Sequence, residues 1–256
     1  MQSKSIVEYV TFGTALRYLQ DVTNGEPIHG DAMILDTIDR FLTNLQKFGL
    51  KVTSRAAYPL STVRDELAKT DPKHVLTTDE ATRLGKIMTD LRRTLMAEAL
   101  GIMAFVVTDK RLDVNKLLQD VRGLLAPKVF DAMPDIARYD FTEAGRCIAF
   151  ERSTAAAFHL LRGTESVLRN YYCSIVRRNR VKPLLWGAMV ESLGKCRKPP
   201  ERPLLDNLDN IRRSFRNPTQ HPEKVYDIEE VQDLFGLCVD VVNRMAGSNR
   251  WIPNCV

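Results

Sequence analysis

The sequence predicts a mainly α-helical protein built as two modules, and three observations predict it. Apolar residues recur at alternating intervals of three and four, as in Leu204, Leu208, Ile211 and Phe215, the spacing of one face of an amphipathic helix. Helix-start signals stand where such runs begin: Asp227 with Glu230 three positions on has the form of a capping box. Strand-like patterning is confined to one short stretch, 101–107, apolar and β-branched toward its end.

At 256 residues the chain has room for one large domain or two ordinary ones, and 44% hydrophobic with 27% charged residues is the composition of a globular protein. The division is expected at 138/139, with residues 1–138 a helical module carrying minor β structure and 139–256 a helical bundle.

In chain order, helical periodicity covers 6 to about 20 and 32 to about 48, separated by the Asn24-Gly25-Glu26-Pro27 turn. A third helix fits 60–69. Thr78 is the expected cap of a longer helix to about Ala99, with Leu84, Ile87, Met88, Leu91, Leu95 and Met96 on its apolar side. Residues 101–107 are expected as a strand paired with 51–53. Asp113 can cap a helix to about Leu125, and the prolines Pro127 and Pro134 mark the passage into the bundle. There, Thr154, Phe158, Leu161, Glu165, Leu168, Tyr172 and Ile175 form one stripe of a long helix, and Val231, Leu234, Phe235, Cys238, Val242 and Met245 form that of the last.

Several function classes find no residues to rest on. The N-terminus lacks the apolar region of a signal peptide, and the longest apolar run, 99–107, is far short of the roughly 20 residues that span a bilayer, so the expectation is a cytoplasmic protein without membrane contact. Five cysteines without close pairs argue against a disulfide framework and a zinc site. There is no glycine-rich phosphate loop, His-Glu-x-x-His pair or Gly-x-Ser-x-Gly elbow, and neither a metal nor a cofactor is expected. His29, His74 and His159 are read as structural, and Trp186 and Trp251 as packing residues.

Charge points to a polyanion. Residues 1–140 hold 19 basic and 19 acidic side chains, whereas 141–256 hold 18 and 13, so the net +5 lies in the second half. Arg177, Arg178, Arg180 and Lys182, and then Arg212 and Arg213, are the expected contacts to nucleic acid phosphates.

The chemistry is expected in the stretch 213–221, Arg-Ser-Phe-Arg-Asn-Pro-Thr-Gln-His. Pro218 disfavours a helical Asn217, so Arg216 should be the last helical residue and His221 should emerge beyond a break. Glu165 is a carboxylate on an otherwise apolar stripe and needs a partner. Arg162 and Arg169, at minus three and plus four, permit an ion pair within the helix; Arg216 or His221 would be partners across the bundle.

Arg216-Asn217, three further residues and then His221 resembles the signature of the HEPN superfamily, and the segments 143–150 and 154–165 look like the opening helix of its bacterial members, so that the resemblance covers residues 140–246. It implies an endoribonuclease that needs no metal, in which two motifs face one another across a homodimer and the RNA 2′-hydroxyl attacks the adjacent phosphate to leave a cyclic phosphate end. It also implies a toxin or antiphage effector. Arg216 would hold the phosphate, His221 would transfer a proton, Asn217 would orient the substrate or His221, and Glu165 would position its partner. Toxins of this family paired with a nucleotidyltransferase antitoxin carry a Tyr two positions after the His; here Glu223 stands there and Tyr226 lies further on, which puts tyrosine modification in doubt and leaves restraint to another antitoxin or regulatory partner. The alternatives are a non-catalytic HEPN module binding RNA, a nucleotide or a protein partner, and a structural helical adaptor.

Overall fold

The computed structural model describes residues 5–178, 180–253 and 255, and it is mainly helical. The chain forms two compact units, Met1–Phe105 and Val106–Val256.

In the first unit, α1 (Ile6–Asp21), α2 (Ile34–Lys47), α3 (Lys51–Ala56), α4 (Tyr58–Leu67) and α5 (Thr78–Ala99) surround a core that includes Leu19, Ile38, Phe41, Leu60 and Met88. The cap of α5 is Thr77, one residue ahead of the expected Thr78. Its hydroxyl accepts from the Glu80 N–H while Glu80 reaches back to the Thr77 N–H, a complete capping box. The expected strand pair does not form. Residues 51–53 open α3, and the Glu98 carboxylate takes the Val52 and Thr53 N–H groups at 2.9 and 2.8 Å, so that backbone has no donors left for a ladder. Among the described residues the only β pairing is one isolated bridge, Pro27 with Val75.

The second unit begins at Val106, well before the expected 138/139. The reason is packing: Leu117, Val121, Leu125 and Val129 belong to its core. Here α6 (Val114–Gln119), capped by Asp113, gives way to a 3-10 turn, Val121–Leu124, rather than running on as one helix. Gly145 admits this segment, since a Cβ there would meet the Leu117 carbonyl at 2.6 Å. The amide of buried Gln232 accepts from the Arg111 N–H at 2.9 Å, fixing the lead-in as well.

After α7 (Val129–Ala132), the bundle proper consists of α8 (Asp135–Ala149), α9 (Ser153–Ile175), α10 (Trp186–Gly194), α11 (Arg202–Ile211) and, after an intervening segment, α13 (Ile228–Ala246). Helix α9 is central: it packs along α8 on one side and α13 on the other. Trp186 is buried and donates from Nε1 to the Leu208 carbonyl at 3.0 Å, which satisfies its one polar atom.

Candidate functional site

The chain does not break at Asn217. Residues Arg212–Arg216 widen into a π turn in which the Asn217 N–H donates to the Arg212 carbonyl, and α12 (Asn217–Thr219) follows with Asn217 itself helical at φ −66°, ψ −50°. Expecting a break follows from Pro218 and the residue before it. The π turn changes the register of the helix ahead of the proline and accommodates what an unbroken α-helix would not. The segment is pinned from below: Thr219 Oγ1 donates to the Phe215 carbonyl at 2.6 Å, and the Tyr226 hydroxyl reaches the same carbonyl at 3.1 Å. Tyr226 is buried, and burial raises its phenol above its ordinary value. Its hydroxyl is therefore spent inside the fold.

Beside this segment a cavity of 520 Å³ runs along α9. Its floor is one helical stripe, Phe158, Leu161, Arg162, Glu165, Ser166 and Arg169, at the three-and-four spacing that puts residues on a common face. Arg216, Thr219 and Gln220 close one wall, and Pro134 and Ile136 the other. Of the four partners considered for Glu165, one within the helix and one across the bundle are at it, whereas Arg162 pairs with Asp140. Arg169 donates to Oε1 at 2.6 Å within the helix, and the Arg216 guanidinium stands 3.5 Å from Oε2 across the bundle. Arg216 also donates to Gln220 Oε1 at 2.7 Å. Glu165 is therefore half-buried between two guanidinium groups, and the cavity lining holds three arginines and one carboxylate.

The other expected residues are dispersed. Asn217 and His221 are exposed and stand outside the cavity lining, on the surface of the turn that carries Arg216. Arg177, Arg178 and Lys182 are exposed after α9. Arg180 spends its donors on the Val176 and Cys173 carbonyls at 2.7 and 2.9 Å, closing the C-terminal end of α9. Arg212 and Arg213 share the Asp209 carboxylate, each at 2.7 Å.

One constellation has no counterpart in the sequence expectations. Asp140 is completely buried, and its carboxylate accepts from Arg162 Nε at 2.7 Å, from an Arg162 terminal nitrogen at 2.6 Å and binds His159 Nδ1 at 2.8 Å. Arg162 thus enters the cavity already oriented by a fork on α8. Gly163 makes this possible, since any Cβ there would lie 3.1 Å from that of Asp140 and 3.2 Å from the Phe141 ring. The signal was a glycine inside a helix next to an arginine; its meaning depends on α8, which lies elsewhere in the sequence.

Among the described residues no group of three or more His, Cys, Asp or Glu side chains could hold a metal ion, and no helix is long and apolar enough to cross a membrane. No family model, curated protein or solved structure matches this chain.

Proposed function

We propose that the second unit is a HEPN-type endoribonuclease that cuts RNA without a metal ion, as a homodimer. The observation that carries the reading is the meeting of Arg216 with Glu165 in an arginine-rich cavity, since these two residues stand out in the sequence for unrelated reasons. Cations in a concave, partly desolvated site bind phosphate more strongly than the same cations in open water. In the reaction, the 2′-oxygen forms a bond to phosphorus, the bond from phosphorus to the 5′-oxygen breaks, and the products are a 2′,3′-cyclic phosphate and a 5′-hydroxyl. One proton leaves the attacking hydroxyl and one reaches the leaving oxygen. Arg216 holds the non-bridging oxygens, Glu165 positions Arg216, His221 transfers a proton, and Asn217 orients the substrate or His221. A toxin or antiphage role, restrained by a separate regulatory partner, is the setting in which such an activity makes sense.

A second reading has its own support. His221 stands outside the cavity lining, so one copy of the chain has a cavity better equipped to bind an anion than to move protons. On that reading the unit is a non-catalytic RNA-binding or nucleotide-binding module.

The test is incubation of the purified protein with total RNA in excess chelator, beside His221→Ala. Fragments with cyclic phosphate ends from the wild type alone are expected. Binding without cleavage by the wild type, or equal cleavage by the variant, would move the assignment to the binding module.

A further inference from the structure

The cavity along α9 has two unlike ends. At one, Glu165 sits between Arg169 and Arg216. At the other, Phe158 is 54% exposed although its neighbours Ala157, Leu160 and Leu161 are buried, and Ile136 beside the same cavity is 44% exposed. Burying a phenylalanine stabilises a fold, so an aromatic left half in water on the floor of a cavity is informative in a way that a scattered surface leucine is not. Phe158 and Arg169 are separated along one helix by about 16 Å at the α-helical rise, and Arg162 stands between them. The lining therefore passes from an aromatic ring, through one guanidinium held by Asp140, to two more held by Glu165, one on the floor and one on the wall.

We infer that this floor is a track for single-stranded RNA, with Phe158 the seat of one unstacked nucleobase and the arginines the contacts to the phosphates that follow it. The inference rests on the RNA reading of the site and adds the state of the strand and a residue that selects it. A base offers a flat apolar face of the kind a phenyl ring stacks on, whatever its identity, and each nucleotide adds one phosphate for a cation further along. An RNA duplex has its bases paired and stacked and can offer Phe158 none. The cavity is within the size range of sites that enclose one small planar group. The carboxylates matter as well: Asp140 and Glu165 fix the guanidiniums in advance, which reduces the entropy lost when the strand is ordered.

The test uses the full chain and 2′-O-methyl oligonucleotides, which lack the attacking hydroxyl and report binding apart from cleavage. A single 2-aminopurine is placed at successive positions, since its fluorescence is quenched when it stacks. Quenching at one position is expected with the wild type, and none with the same strand held in a duplex. Phe158→Ala and Phe158→Leu should abolish the quenching and weaken binding about 5- to 150-fold, the range typical of removing one aromatic platform from beneath a base. Phe158→Trp should retain both. The leucine variant keeps apolar bulk at the site and guards against loss of fold, which circular dichroism checks. If the wild type cuts unmodified RNA while no position is quenched and Phe158→Leu binds normally, the base seat is overturned and the nuclease stands. If quenching is seen and unmodified RNA is never cut, the seat stands and the nuclease falls. Absence of both overturns both.

Discussion

The Arg216 guanidinium stands 3.5 Å from Glu165 Oε2, while Oε1 of the same carboxylate is taken by Arg169 at 2.6 Å. One half-buried carboxylate therefore sets the positions of two cations that come from different elements. If Glu165 positions Arg216 for turnover, Glu165→Gln should lower kcat about 10-fold, or about 1.4 kcal/mol in barrier. The substrate should bind at least as tightly, because the lining loses a negative charge. Arg216→Ala should raise KM and lower kcat together, since a guanidinium on phosphate acts in ground state and transition state alike. Steady-state kinetics separate the two. A Glu165→Gln effect confined to KM would make Glu165 a surface charge rather than a positioning residue.

What the sequence revealed about this site follows from what was local. Glu165 breaks an apolar stripe and Arg216 precedes a proline by two residues, and both facts are visible within a few turns of chain. The helices were legible for the same reason, since their periodicity is written into neighbouring residues. Asp140 was not legible, because its partners Arg162 and His159 lie on the next helix and the close approach depends on Gly163. Nor was the π turn, since the rule against a helical residue before proline is a preference that Asn217 overrides, and nothing local marks a change of register. The 101–107 stretch has the composition of a strand, but its supposed partner is a helix start capped by Glu98. Of the expected phosphate contacts, Arg180 turns inward to backbone carbonyls, a use that charge counting does not see.

The buried carboxylate of Asp140 makes Arg162 a stability residue as well as a cavity residue. Removing one partner of a wholly buried pair costs about 3–5 kcal/mol, but the Arg162 side chain is 58% exposed and solvent screens the pair, so Arg162→Met should cost about 1–3 kcal/mol in denaturant unfolding. In a double-mutant cycle with Asp140→Asn the two effects should fail to add. Additive losses would mean that His159 alone compensates Asp140.

Cysteine chemistry gives a prediction that depends on pH. Burial pushes the Cys238 thiol up to about 12 from an ordinary value of 9.0, and burial also raises Cys173 and Cys147. A folded-state pKa above the unfolded one means that the folded protein holds this proton more tightly. The associated stability is present below the unfolded value and is lost as pH rises from there toward the folded value. Alkaline unfolding should therefore set in above about pH 9, and Cys238→Ala or Cys238→Val should shift its onset upward. At pH 8 a thiol reagent should label Cys147, Cys196 and Cys255 first, with buried Cys173 and Cys238 reacting only on unfolding. Mass mapping of the labelled sites checks the order.

The surface cations divide by their partners. Arg177 and Arg178 are exposed, whereas Arg212 and Arg213 are tied to Asp209. Reversing Arg177 and Arg178 to Glu should weaken RNA binding at low salt and flatten the dependence of log affinity on log salt by about 0.7 for each phosphate that is no longer neutralised. Single-turnover cleavage of saturating RNA should be unchanged. An unaltered salt slope would show that this end of α9 meets no phosphate.

If the unit is a nuclease, His221 has to join a reaction whose arginine faces a cavity that the imidazole does not line. His221 is exposed, so His221→Ala should leave the melting temperature unchanged while cleavage falls about 10²- to 10⁴-fold, the usual contribution of general acid or base catalysis. Within one chain, Arg216 turns into the cavity and His221 turns to solvent, and a two-fold homodimer with facing motifs would supply the imidazole from the second copy. That arrangement has a signature. A heterodimer of Arg216→Ala with His221→Ala carries one intact arginine and one intact histidine on opposite subunits. If a site draws on both chains, mixing the two inactive variants under conditions of subunit exchange should raise cleavage at least about 10-fold above either alone. Activity equal to the sum of the parents would place both residues of a working site in one chain, and a monomer by light scattering that still cuts RNA would remove the dimer from the mechanism.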